Sequence, residues 1–230
     1  LPTFQVEAEK GTSILHAAES VGIEVPTLCY IKDLLPDGSC RMCMVEIESR
    51  GRTKMETACT AQVSEGLVVT TNSEKVRNAR RNILDMLLSN HKTDCFSCPS
   101  NGDCKLQELC FEYGIERTTY SGEQTELPID DSNKFFTYNP NLCILCHRCV
   151  NTCHKVVGRG AIDTMERGFD SAIGTPFHID WADTNCESCG NCVQACPTGA
   201  LTMKRRKNYR KYQIDKKVLT TCPHCATGCQ

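Results

Sequence analysis

Cys186-Glu-Ser-Cys189-Gly-Asn-Cys192-Val-Gln-Ala-Cys196-Pro197 repeats the spacing of an earlier run, Cys143-Ile-Leu-Cys146-His-Arg-Cys149-Val-Asn-Thr-Cys153. Both read C-x2-C-x2-C-x3-C and together hold eight of the 19 cysteines in this 230-residue chain. A disulfide scaffold does not fit that usage. The thiol count is odd, C-x2-C steps are too local to staple distant segments, and no charged n-region precedes an apolar h-region near Leu1. Zinc ribbons use two C-x2-C pairs rather than triplets. Three thiolates at this spacing with a fourth farther on suit iron–sulfur clusters.

The paired runs, with Pro197 closing the second, resemble a two-cluster ferredoxin of the bacterial type. The resemblance implies that the fourth cysteine of each run crosses over. Cys143, Cys146, Cys149 and Cys196 would hold one [4Fe-4S] cube, and Cys186, Cys189, Cys192 and Cys153 the other. His154 stands where the first run should have proline, which alters the local turn more than the ligation. The long gap from Lys155 to Asn185 is expected to add a hairpin around Thr175-Pro176-Phe177-His178-Ile179, with His147 and His178 as surface or structural residues.

Toward the N-terminus the pattern is mixed α/β. Phe4 to Ala8 read as extended. Ser13 caps a helix with Ile14, Leu15, Ala18 and Val21 on its apolar face and Gly22 at its end. Met44 to Glu48 read as a strand turned at Ser49-Arg50-Gly51-Arg52, and Leu67 to Thr70 as another. Cys29, Cys40, Cys43 and Cys59 lie among these elements as C-x10-C-x2-C-x15-C, which suits a [2Fe-2S] cluster with Gly38 and Ser39 offering free amides near the sulfurs. The segment PTLCYIKDLLPDGSCRMCMVEIE resembles the β-grasp [2Fe-2S] domain that opens the large subunits of complex I, NADH-linked hydrogenases and NAD-linked formate dehydrogenases.

A helix from Ser73 to Asn90 follows, with Val76, Ala79, Ile83 and Leu87 on its apolar face and Arg77, Arg80 and Arg81 on others. It leads to His91-x3-Cys95-x2-Cys98-x5-Cys104, which resembles the three-cysteine, one-histidine [4Fe-4S] site of the same subunits. Cys110 could replace His91 in an all-cysteine set, yet Leu106, Leu109, Cys110 and Tyr113 form a helical apolar stripe that a small thiol fits. The resemblance selects His91. The polar, acidic stretch Gly114 to Tyr138 reads as a linker or surface excursion.

Lys204, Arg205, Arg206, Lys207, Arg210, Lys211, Lys216 and Lys217 make a basic run, first a solvated face and second a seam against acidic subunits. It is a poor nucleic-acid footprint, since the overall balance of the chain is acidic. Cys222-x2-Cys225-x3-Cys229 then resembles the opening of molybdopterin or tungstopterin oxidoreductases, formate dehydrogenases above all, as three ligands of an incomplete further [4Fe-4S] cluster. A pterin follows only if the chain continues.

The expected fold class is α+β in small units: a β-grasp [2Fe-2S] domain over 1–72, a small helical [4Fe-4S] domain with one histidine and three cysteine ligands over 73–135, a 2[4Fe-4S] ferredoxin domain over 136–205, and a basic linker with the further motif over 206–230. One [2Fe-2S] and three [4Fe-4S] clusters would take the formal charge from −2 to about −9. No apolar run reaches membrane-span length, so a cytoplasmic chain is expected. No G-x-G-x-x-G turn, Walker loop, nucleophile elbow or paired carboxylates accompany the cysteines, so no residue is assigned a catalytic role.

The resemblance implies partners: a flavin- and NAD(P)H-binding subunit, a small thioredoxin-like [2Fe-2S] subunit, and ferredoxin if the complex bifurcates electrons. It implies the electron-transfer part of an NAD(P)-linked formate dehydrogenase, with a relay subunit of a hydrogenase-like or transhydrogenase complex as the alternative. A structural or redox-sensing cluster protein is the reading from another class. Complex I itself fits poorly on the expectation that its large subunit lacks the tandem ferredoxin repeat.

Overall fold

The computed structural model describes residues 3–205, 213–216 and 218–221. Cys222, Cys225 and Cys229, and Arg206, Lys207, Arg210, Lys211 and Lys217 of the basic run, lie outside them.

Helix α1 (Ile14–Ser20) starts where Ser13 Oγ accepts the His16 N–H. A helix leaves its first N–H groups unpaired, and here Ile14 and Leu15 donate theirs to Ala61 O at 2.9 Å and Ala58 O at 2.8 Å. The start of α1 is thereby tied to the loop that carries Cys59. Strands β1 (Met44–Ser49) and β2 (Arg52–Thr57) form a hairpin. Its two turn residues, Arg50 and Gly51, both have positive φ, the geometry that matches strand twist. Strand β3 (Val68–Thr70) pairs with the other edge of β1, giving the order β2-β1-β3. Ile14, Leu15, Val25, Val45 and Ala58 pack with Cys43 and Cys59 beneath this sheet. The expected extended segment Phe4–Ala8 adds no strand. Its side chains are exposed, so nothing buries Phe4 or Val6 against the sheet.

Helix α2 (Glu74–Ser89) is capped by Ser73 Oγ on the Val76 N–H. Its buried stripe is Val76, Arg80, Leu84 and Leu88, one position on from the expected face, with Ala79, Ile83 and Leu87 half-buried. The stripe includes the charged Arg80. A buried charge is tolerated only when hydrogen-bonded, and Arg80 donates from Nε and Nη2 to Met44 O and from Nη1 to the Tyr113 hydroxyl. One guanidinium thus ties α2 to β1 and to the end of helix α3 (Lys105–Glu112).

Strands β4 (Phe136–Tyr138) and β7 (Leu201–Met203) pair antiparallel and close the C-terminal unit. Between them lie the short helices α4 (Arg148–Asn151) and α5 (Asn191–Ala195), which pack together. Trp181 fills the core, with Phe136 and Tyr138 edge-on at 5.3 and 5.1 Å. The hairpin in the long gap lies earlier than expected, as β5 (Asp163–Met165) and β6 (Ala172–Gly174). Residues 175–179 instead make a tight turn in which Phe177 and His178 both have positive φ.

The stretch 114–138 is not a free linker. Thr118 and Thr119 hydrogen-bond the Asp85 carboxylate, and this holds Asp85 below the usual carboxylate range. Asp130 accepts the Trp181 N–H, and 136–138 is the strand β4 itself.

Candidate metal centres

In the β1–β3 unit, Cys29, Cys40, Cys43 and Cys59 are all at most 8 % exposed. They are gathered in pairs. Cys43 Sγ and Cys59 Sγ are 3.3 Å apart, and the Cys40 thiol donates to the Cys29 sulfur. A proton shared within each pair favours one thiolate over the other, so Cys29 and Cys43 are lowered while Cys40 and Cys59 are driven up. The amides of Ser39 and Cys40 also point to the Cys29 sulfur. Gly38 has φ +65°, and a Cβ there would lie 3.1 Å from Thr60 Cγ2, so the ligand loop rests on the Cys59 loop. Two pairs of buried sulfurs, two donors per metal, fit a [2Fe-2S] group.

His91 follows the Asn90 cap of α2 and is buried. Burial lowers its pKa to about 4, so the imidazole is neutral. Among the described residues, its Nδ1 is the one fully buried side-chain nitrogen or oxygen without a hydrogen-bond partner. A buried polar atom left unpaired is costly, and a neutral imidazole is a metal donor. Cys95 and Cys98 sit in the following turns, and Cys104 is the N-cap of α3. Cys110 is pushed up to about 12 by burial, with Cys104 and Cys95 adding to it, so it lies near the same site. It packs with Leu106, Leu109 and Tyr113 in one core, as the stripe in the sequence implies.

The two runs of the C-terminal unit share one backbone form. The residues two and four places after the first cysteine, Leu145 and His147 in one run and Ser188 and Gly190 in the other, all have positive φ. That conformation aims the Leu145 amide at Cys143 Sγ (3.4 Å) and the Ser188 amide at Cys186 Sγ (3.3 Å). The thiols also sort by mutual influence. Burial is the largest cause raising Cys149, and the neighbouring Cys143, Cys146 and Cys196 thiols add to it, with Cys192 of the second run last. Burial is the largest cause raising Cys192, to about 12, and the neighbouring Cys186, Cys189 and Cys153 thiols add to it. Cys153, Cys186, Cys189 and Cys192 line a single cavity with Trp181, Phe136 and Ile162.

His154 occupies a π-helical turn (Thr152–Val157), with Nε2 2.9 Å from Ile162 O and 3.5 Å from Asp163. His178 pairs with Glu166 on the surface. Lys204 bonds the Asp131 main chain and carboxylate. Gly199 carries a role that no local motif announces. A Cβ there would lie 2.7 Å from Cys98 Sγ, so the bare backbone brings the C-terminal unit against the His91 site. Among the described residues no three Cys, His, Asp or Glu side chains converge as tightly as one bare ion requires. The fit therefore rests on the pairing, the orphaned Nδ1 and the four-thiol cavity.

Cysteine and histidine groupings of this kind are those of an iron–sulfur protein. Residues 4–74 match the profile of a 2Fe-2S iron-sulfur cluster binding domain and residues 80–119 that of the NADH-ubiquinone oxidoreductase-G iron-sulfur binding region. Residues 135–202 match the ferredoxin-like domain of NADH-quinone oxidoreductase subunit 3, and 185–230 a 4Fe-4S dicluster domain. The chain is 42 % identical over 98 % of its length to a G-type subunit of the NADH-quinone oxidoreductase of Rhizobium meliloti (strain 1021), and 41 % over 98 % to the NADPH-Fe(3+) oxidoreductase subunit alpha of Geobacter sulfurreducens. It spans about a quarter (26 %) of each of these relatives. A crystal structure of NAD+-reducing [NiFe]-hydrogenase in the H2-reduced state superposes with a TM-score of 0.79 and 30 % identity, over 87 % of this chain and 84 % of that one.

The chain belongs to the iron–sulfur family shared by the G-type subunits of NADH-quinone oxidoreductase and the NAD+-reducing hydrogenase. It is an iron–sulfur electron-transfer module of the kind built into NADH- and NADPH-linked complexes, with a [2Fe-2S] domain and several [4Fe-4S] sites. The expectation that complex I-type subunits lack a counterpart to the tandem repeat is overturned by the ferredoxin-like profile over 135–202 and by the near-complete match to the G-type subunit of Rhizobium meliloti. Among the described residues no helix is long and apolar enough to cross a membrane.

Proposed function

We propose that this chain is the electron relay of an NAD(P)H-linked oxidoreductase, with one [2Fe-2S] and three [4Fe-4S] clusters. The first would be held by Cys29, Cys40, Cys43 and Cys59. The others would be held by His91, Cys95, Cys98 and Cys104, by Cys143, Cys146, Cys149 and Cys196, and by Cys186, Cys189, Cys192 and Cys153. The units 1–72, 73–135, 136–205 and 206–230 are the domain reading that goes with these sets. When bound, the clusters supply one-electron chemistry, and the protein contributes placement, burial and hydrogen bonds.

The observation that carries this reading is the continuity of the sets. Cys29, Cys40, Cys110 and Cys146 share one buried core with α2 and α3, while Cys149 and Cys192 share the next with Cys98 against it. Electrons would pass between a flavin-containing NAD(P)H partner, with a small thioredoxin-like [2Fe-2S] subunit beside it, and a second active site. Ferredoxin would join them in a bifurcating complex, and the expected setting is cytoplasmic.

The second active site is read as a pterin-dependent formate dehydrogenase, on the strength of Cys222-x2-Cys225-x3-Cys229. A hydrogenase-like or transhydrogenase relay is the second reading, favoured by the likeness to the NAD+-reducing hydrogenase over most of both chains. The intact mass and metal content of the native polypeptide separate them. A chain near four times the present 25.6 kDa that contains molybdenum or tungsten supports the first, and a chain with neither metal leaves the second. Native material rich in zinc and poor in acid-labile sulfide would end the relay reading altogether.

A further inference from the structure

Arg148 lies between Cys146 and Cys149, and its side chain leaves its own unit. Nη1 donates to Tyr30 O at 2.8 Å, the residue after Cys29, and Nε donates to Ala195 O at 2.7 Å, the residue before Cys196. One planar fork therefore fixes main chain next to proposed ligands of two different centres. A lysine has no second donor in that plane. The side chain is half-buried, and among the described residues no carboxylate pairs with it. Its positive charge is thus free to act on the sulfurs: burial pushes the Cys146 thiol up to about 12, and the Arg148 backbone amide and, least of the causes, its charge act against that rise. The same seam holds Lys155 3.5 Å from Asp37, with Asn151 also bonded to Asp37, so the two units meet at more than one point. Cys29, Cys40 and Cys146 lie in the common core beneath it.

We infer that Arg148 is a positioning residue that sets the reduction potential of the Cys143, Cys146, Cys149 and Cys196 centre and holds the Cys29–Tyr30 loop in register against it. The inference rests on the reading of these cysteines as cluster ligands. Reduction adds negative charge, and a nearby uncompensated cation favours it. Loss of the cation lowers the potential, and loss of the fork frees the Tyr30 loop.

The test is EPR-monitored potentiometry and hydrogen–deuterium exchange on the native polypeptide and on R148Q and R148K, with iron and sulfide measured in each. R148Q is expected to load fully, to move one [4Fe-4S] signal to lower potential and to leave the others in place. R148K is expected to keep the wild-type potential while exchange in the peptide containing Tyr30 becomes faster. A loaded R148Q with every potential unchanged overturns the inference, and so does an R148K whose Tyr30 peptide exchanges as the wild type does. Wild-type protein without iron and sulfide would overturn the cluster reading itself, a separate result from either of these.

Discussion

The two cysteine runs of the C-terminal unit have the same spacing and the same pair of left-handed residues, yet they face different surroundings. Cys146 and Cys149 of the first run are 7 % and 8 % exposed, Cys146 with Ile144 in the core built by α2, α3 and the Cys29 loop, and Cys149 in the core of Trp181 and Cys192. Cys189 of the second run is exposed, and its cavity is walled by Trp181 and bordered by the Arg159–Glu187 ion pair at 2.5 Å. Local sequence sets how each loop wraps its sulfurs. What packs outside sets how much water reaches them, and water access is a lever on potential and lability. The first run reads as an interior station, and the second as a port.

The largest expected difference is in survival. On graded exposure of loaded protein to a chelator, one [4Fe-4S] signal is expected to vanish well before the rest. Cys189→Ser should remove that signal specifically, and equal decay of all signals would erase the distinction between port and interior. Gly199→Ala tests the packing that joins the C-terminal unit to Cys98 beside the His91 site. Its Cβ meets Cys98 Sγ at 2.7 Å, and overpacking of this kind costs about 1–3 kcal/mol. Thermal unfolding should show it, with the His91 site disturbed before the cavity site.

His91→Cys exchanges a neutral donor for an anionic one, so the affected cluster should become harder to reduce. A titration with no shift, or an upward one, would count against His91 as donor. The smallest effect compares the runs directly. Gly190→Ala places a side chain at φ +76° with only Met203 Sδ at 4.0 Å, and should cost about 1 kcal/mol through backbone strain alone. His147→Gly relieves the matching strain at φ +59° and should be neutral or stabilising by up to about 1 kcal/mol, less what chain entropy takes back. Denaturant midpoints of the two variants moving in the same direction would show that the loops are not equivalent.

The family and its iron–sulfur domains were legible because cysteine spacing is a local property, and so were the cap at Ser13 and the β1–β2 turn. What escaped was set by contacts distant in sequence. Arg80 reads as a surface residue by helical period, but its partners, Met44 O and the Tyr113 hydroxyl, lie 36 and 33 residues away. Strand β4 hides in an acidic stretch because its pairing partner is β7, past both cysteine runs. The hairpin was sought at Pro176, but proline there starts a turn, and the strands flank Gly168 instead. The glycine at 199 carries no motif, and only the neighbouring Cys98 gives it meaning.

The carbonyls of Ala58 and Ala61 that complete the first turn of α1 arrive more than forty residues after it in the chain. During synthesis the first turn of this helix therefore stays open until the loop bearing Cys59 has emerged, and a nascent fragment stopped before Ala58 should show little of its helical signal. Contacts of such long sequence separation form late. The Cys59 thiol and the finished start of α1 thus become available together.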